Sequence, residues 1–254
     1  MQLNFKKVGE GEPLVILHGL FGSLDNWLTL AKKLGDYFEV FIVDGRNHGQ
    51  SPHSNEFNYD VMADDLYEFL MQNGIVDPII LGHSMGGKTA MQFAMNYPNK
   101  LKKLIVVDIA PKAYPVHHTE ILDGMLSLDL EVINTRKEAD KQLSNYISDI
   151  STRQFLLKNL HWITQGKLAW RFNLPVINNQ IETIGQGLEN IDPFEKSTLF
   201  IRGEKSNYIT ATDFKIINKI FPNSQIKTLN SGHWVHAEKP VEFLQLLNSF
   251  LLNS

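Results

Sequence analysis

The string Gly82-His83-Ser84-Met85-Gly86 sets a serine between two glycines, each two positions away. The short apolar run Ile79–Leu81 comes just before it, and a helical pattern from Lys88 to Tyr97 follows. A serine hydroxyl is presented for nucleophilic attack when it tops a sharp strand-to-helix turn. Small residues two before and two after it avoid clashes, and the helix N-terminus then faces the developing oxyanion. The same residues carried on to Thr89 also satisfy Gly-x-x-x-x-Gly-Lys-Thr, a phosphate-binding loop built on Lys88 and Thr89. In that reading Asp108, after the run Leu104–Val107, would hold magnesium. One reading needs a single tight turn and the other a wide loop, so residues elsewhere must decide.

Acyl transfer requires two backbone N–H groups aimed at the oxyanion. Met85, directly after the serine, supplies one. His18-Gly19-Leu20-Phe21, directly after the run Leu14–Leu17, is placed to supply the other from Leu20 or Phe21. A general base is found in Ser231-Gly232-His233-Trp234-Val235-His236, where His233 can take the serine proton and later pass it to the leaving group. His236 reads as a packing partner, and a metal pair of His233 and His236 lacks a third ligand nearby in sequence. His48, in the string Asp44 to Ser51, reads as structural rather than catalytic.

The acid is less direct. The chain order for this arrangement is serine, acid, histidine. Gly-x-x-Asp spacing after Leu199–Ile201 arrives at Ser206, which cannot act as an acid, and Glu204 comes too early in the turn. Asp108 follows Ser84 by one helix and one strand, which puts it on a neighbouring strand at the same sheet edge. Asp108 is the preferred acid, with Glu204 and then Asp213 as alternatives.

These residues need a frame to hold them. Val40–Val43, Leu199–Ile201 and Ile226–Leu229 join the runs already named as short buried strands, typical of a parallel sheet. Tyr59–Asn73 is a helix with Val61, Leu66, Phe69 and Leu70 on one face and acids on the other, and a last helix is expected near Pro240–Leu252. Such alternation predicts a doubly wound α/β sheet, whose functional loops lie at the carboxyl ends of the strands. It lapses between about Pro111 and Asp192, where Ile121–Leu130 and Lys137–Ile150 have helical periodicity and strand signals are few. The expected organisation is a core of residues 1–111 and 190–254 with a helical cap inserted at 112–189. The cap aromatics and amides, including Phe155, Trp162, Trp170, Phe172, Asn178 and Asn179, are expected to line a pocket. His83, Trp162, Arg171 and Trp234 are the substrate-pocket candidates.

Composition narrows the function classes. The 254 residues are 43% hydrophobic, enough for a sizeable core, and the formal net charge of −4 gives no reason to seek nucleic acid or anionic membrane. The absence of cysteine excludes disulfides, thiolate zinc sites and a cysteine nucleophile. No apolar run near Met1 is long enough for a signal or spanning segment, so the expected location is cytoplasmic. No motif calls for a metal or an organic cofactor, and none specifies oligomeric state.

Four strings together resemble the α/β-hydrolase superfamily, and more narrowly the YbfF-type bacterial acyl esterases. They are His18 to Ser23, Gly82 to Lys88, Val107-Asp108-Ile109-Ala110-Pro111 and Gly232 to Pro240, and Trp170 to Pro175 adds to the match. The resemblance implies the α/β-hydrolase fold and hydrolysis of small-molecule esters and acyl-CoA thioesters, including long-chain acyl-CoA and malonyl-CoA. It also implies an acid after the strand that follows the nucleophile helix, which is Asp108. The expected function is therefore a serine esterase or acyl-CoA thioesterase with Ser84, Asp108 and His233 as triad. A P-loop nucleotide-binding protein, a non-catalytic binding protein of this fold, and a carbon–carbon hydrolase or lyase on this fold remain as alternatives.

Overall fold

A computed structural model describes residues 1–115, 119–188 and 192–252. The core elements, in chain order, are β1 (Phe5–Val8), β2 (Glu12–Leu17), α1 (Leu28–Leu34), β3 (Phe38–Val43), α2 (Tyr59–Gln72), β4 (Ile79–His83), α3 (Met85–Asn96) and β5 (Lys103–Val107). The chain then leaves the sheet for α4 (Thr119–Leu126), α5 (Arg136–Leu143), α6 (Ile150–Leu157), the hairpin β6 (Leu160–Thr164) and β7 (Lys167–Trp170), α7 (Leu174–Asn179) and α8 (Ile181–Gly185). It returns with β8 (Thr198–Gly203), α9 (Phe214–Ile220), β9 (Ser224–Leu229), α10 (Val235–Glu238) and α11 (Pro240–Leu252).

The sheet order is β1-β3-β2-β4-β5-β8-β9, parallel except for the antiparallel edge strand β1. β4 and β5 are buried at every residue, as expected for strands covered on both faces. Alternate side chains feed two clusters. Val15, Ile80, Val106 and Phe200 meet Phe69 of α2 and Phe93 of α3 on one face. Ile16, Leu81, Ile105 and Ile201 meet Trp27 and Phe243 on the other. A third cluster joins Phe21, Met62 and Met85 to Leu122, Leu157 and Ile177 of the excursion between β5 and β8.

The expected parallel strands all form, and α11 has the expected bounds. Three readings need correction. β1 went unseen because Phe-Lys-Lys-Val is short and half polar, and it gains its strand character from pairing with β3. The excursion contains a β-hairpin as well as helices, and Trp162-Ile163-Thr164 on β6 is exposed, so no buried apolar run announced it. On α2, Met62 is buried in place of Val61, and Asp65 turns inward to an ion pair with Arg46. The expected return to the core at 190 falls at Asn190, outside the described residues. Among the described residues, no helix is long and apolar enough to cross a membrane.

Candidate active site

Ser84 stands alone between β4 and α3. Its backbone is at φ 53°, ψ −120°, a conformation non-glycine residues rarely adopt. Its N–H donates to Val107 C=O at 3.0 Å, and its C=O accepts from Lys88 N–H at 3.0 Å, so the helix begins at once. The flanking glycines are sterically required. A Cβ at Gly82 would lie 2.1 Å from Gly86 O, and one at Gly86 would lie 2.5 Å from His18 O. This is a one-residue turn, and no wide phosphate-wrapping loop exists. Lys88 lies within the helix, and the Thr89 hydroxyl bonds back to Met85 C=O at 3.0 Å. The P-loop reading fails on backbone geometry.

β4 and β5 pair with His83 opposite Val107, so Ser84 and Asp108 each follow a paired residue at adjacent strand ends. Asp108 is fully buried and also has a positive φ of 51°. Its Oδ1 accepts from Gly203 N–H at 2.9 Å, and its Oδ2 accepts from His233 Nδ1–H at 2.8 Å. The Ser206 hydroxyl also donates to Oδ2. Ser206, at the position reached by Gly-x-x-Asp spacing, therefore hydrogen-bonds the carboxylate that sits one strand over. Glu204 is exposed, and Asp213 is held by Lys112 at 2.7 Å and by Thr210 N–H at 2.8 Å. The structure brings Asp108 to His233 and neither alternative.

His233 stacks on Tyr208 with ring centres 4.0 Å apart and lies 4.7 Å from the His83 ring. With Nδ1–H given to a carboxylate, its Nε2 carries the lone pair. The His18-Gly19 turn presses against the serine. A Cβ at Gly19 would lie 3.2 Å from Ser84 Cβ and 2.9 Å from His83 Nδ1, so only glycine fits there. Of the two N–H groups expected from this turn, that of Phe21 is directed at His48 Nε2, 3.2 Å away. Phe21 N–H is thus engaged by His48, and the N–H groups of Leu20 and Met85 are the remaining oxyanion candidates. His48 gives its own Nδ1–H to Arg46 C=O at 2.9 Å, and burial pushes its pKa down to about 3. It is a neutral structural ring, as read from the sequence. His18 is likewise lowered by burial, with Nδ1–H on Gly19 C=O and Nε2 accepting from Gly45 N–H.

A cleft of about 450 Å³, counted out to its open mouth, lies over the serine. Its lining includes Leu20, Tyr59, Lys88, Tyr114, Ile184 and Tyr208 as well as Ser84 and Met85. None of the four pocket candidates lines it. His83 sits behind the serine and donates Nε2–H to His233 C=O at 2.9 Å, so it steadies the histidine loop. Trp162 is 47% exposed on β6. Arg171 donates its N–H to Asn159 C=O, and Trp234 packs on Phe155 with ring centres 5.7 Å apart. The aromatic content of the excursion was a poor guide, since Phe172 is buried against Phe21. Residues that do line the cleft come mostly from the core and from α8. The signal available for Lys88 was its place in the first turn of the helix that opens directly after Ser84.

This fold and elbow define the α/β-hydrolase class, and the chain belongs to the α/β hydrolase fold family, whose model matches residues 12–240. Its relatives include esterases and a lipase. It is 40% identical over 247 residues to the mouse sn-1-specific diacylglycerol lipase ABHD11, covering 94% of this chain and 80% of that one. It is 36% identical over 241 residues to the Escherichia coli esterase YbfF, covering 94% and 92%. Among solved structures, a marine microorganism esterase superposes with a TM-score of 0.96 at 45% identity, covering 98% and 99%.

Proposed function

We propose that this protein is a serine hydrolase of carboxylic esters and acyl thioesters, with Ser84 as nucleophile, His233 as general base and Asp108 as the orienting acid. The observation that carries this reading is the His233–Asp108 hydrogen bond at 2.8 Å, formed at the strand ends beside the strained Ser84. Asp108 fixes the ring so that Nε2 is the basic nitrogen, and it stabilises the imidazolium once that nitrogen takes the serine proton. Ser84 Oγ then attacks the acyl carbonyl. The N–H groups of Met85 and Leu20 receive the oxyanion, and the N-terminal end of α3 adds its partial positive charge. His233 next protonates the leaving alkoxide or thiolate. Water, deprotonated by the same nitrogen, releases the acid from Ser84. The excursion between β5 and β8 serves as a cap, because Ile181, Ile184 and Gly185 of α8 form one wall of the cleft.

The test is hydrolysis of p-nitrophenyl butyrate and butyryl-CoA by the wild type and Ser84→Ala. The wild type is expected to cleave both and the variant neither above background. A wild type inert to both substrates would refute the reading.

A further inference from the structure

Tyr208 lines the cleft over Ser84, and the mechanism gives it no task. Its ring lies nearly parallel to the His233 imidazole, with an interplanar angle of 21° and ring centres 4.0 Å apart. A face-on stack of this kind covers one side of the imidazole, whereas Asp108 meets the ring edge at Nδ1. Tyr208 is held in place by its backbone. Its N–H donates to Ser206 Oγ at 3.2 Å, and that hydroxyl is the one that bonds Asp108. Its C=O accepts from the Tyr114 hydroxyl at 2.6 Å. The acid, the base and the tyrosine are thus fixed to one another by a closed ring of contacts.

In both steps of the proposed mechanism the neutral imidazole takes up a proton and becomes a cation. Asp108 balances that charge at one edge of the ring. The groups around the rest of it are neutral. His83, from the end of β4, lies 4.7 Å away, and burial holds it well below the usual histidine range. His236, from α10, is pushed by burial down to about 3. Glu238 of the same helix is turned to Gly232 N–H, which it accepts at 2.7 Å. Burial and the charge of Asp108 push the Tyr208 hydroxyl up, so it stays a neutral phenol. What Tyr208 offers the imidazolium is therefore the negative potential of its ring face, well inside the ~6 Å over which a cation and an aromatic face attract. An acyl group in the cleft keeps water off this pair and strengthens the attraction.

We propose that Tyr208 is a positioning residue for the reaction, whose ring face stabilises the charge that His233 carries in the transition state through a cation–π contact. This rests on the reading of His233 as the general base.

Tyr208→Leu would remove packing together with the ring face, so the decisive series keeps the shape of the side chain. Position 208 is given phenylalanine (Tyr208→Phe) and then phenylalanines with one, two and three fluorines on the ring, which withdraw electron density from its face. The readouts are kcat on p-nitrophenyl butyrate and Tm. Tyr208→Phe keeps kcat within about threefold of wild type, and kcat then falls stepwise with each fluorine, by about fivefold or more in total. A series in which kcat stays at the Tyr208→Phe value while Tm alone moves assigns Tyr208 to packing and overturns the proposal. A folded Tyr208→Phe that loses more than about tenfold places the role on the hydroxyl and overturns it as well. A wild type inert to the ester refutes the hydrolase reading and this inference with it. An active wild type with a flat fluorine series refutes this inference alone.

Discussion

At the residue scale, Ser84 and Asp108, at adjacent strand ends, have positive-φ backbones that cost energy to hold, as does Phe21 in the turn after β2. In the proposed mechanism the acid acts from the end of β5. Asp108 meets His233 directly, and Ser206 donates a hydroxyl where a carboxylate would otherwise stand. Asp108→Asn is expected to lower kcat by ~10⁴, as loss of the orienting acid does in such triads, while Glu204→Gln leaves kcat within about twofold of wild type; steady-state kinetics on one ester checks both. Ser84 and His233 were legible because each sits in a short local pattern. Asp108 could be ranked but not fixed from sequence, since its contact to His233 spans 125 positions and depends on strand register. Phe21 could not be separated from Leu20, because the choice turns on His48, which accepts from one of the two amides.

At the element scale, the excursion does more than line the cleft. Asn159, between α6 and β6, is buried and donates Nδ2–H to Phe21 C=O at 2.8 Å. It pins the turn from which the proposed mechanism takes Leu20 N–H, so the position of the excursion and of that turn are tied. Asn159→Ala should lower kcat by about tenfold or more with a smaller change in KM, because misplacing one oxyanion donor costs mainly transition-state binding. A parallel fall in Tm with kcat unchanged would show that Asn159 serves packing alone. The buried Arg46–Asp65 pair makes a similar tie between the loop after β3 and α2. Asp65→Ala leaves the guanidinium buried and unpaired and should cost about 3–5 kcal/mol by urea unfolding. Neither tie was visible in the sequence. Asp65 looked like one of the solvent-facing acids of an amphipathic helix, and its partner is set by the path of the loop. The core strands were legible because continuous Val and Ile runs suit a sheet covered on both sides. β1 and the β6–β7 hairpin were not, since their residues are half exposed and take strand form from pairing.

At the scale of the whole molecule, the fold buries several neutral histidines. Burial pushes His48 and His236 to about 3. In the unfolded chain each would titrate near 6.5. Between those values the unfolded state binds more protons, so stability is fully present above about pH 6.5 and is lost as pH falls toward 3. Each of these two rings is expected to cost about 2 kcal/mol of stability at pH 5 relative to neutrality. His236 stacks on Trp27 at 4.0 Å, and its buried Nδ1 has no hydrogen-bond partner among the described residues. His236→Phe keeps the stack and removes both the titration and the orphaned atom. Its urea midpoint should fall less between pH 7 and pH 5 than that of wild type, and an identical fall would contradict this assignment. The account as a whole depends on Ser84 being the group that becomes acylated. The direct measurement is treatment of the native protein with a fluorophosphonate, followed by intact-mass and peptide mass spectrometry. The account predicts one adduct per chain, on the peptide that contains Ser84, and none on Ser84→Ala. An unreactive wild type, or an adduct that persists on Ser84→Ala, would contradict it.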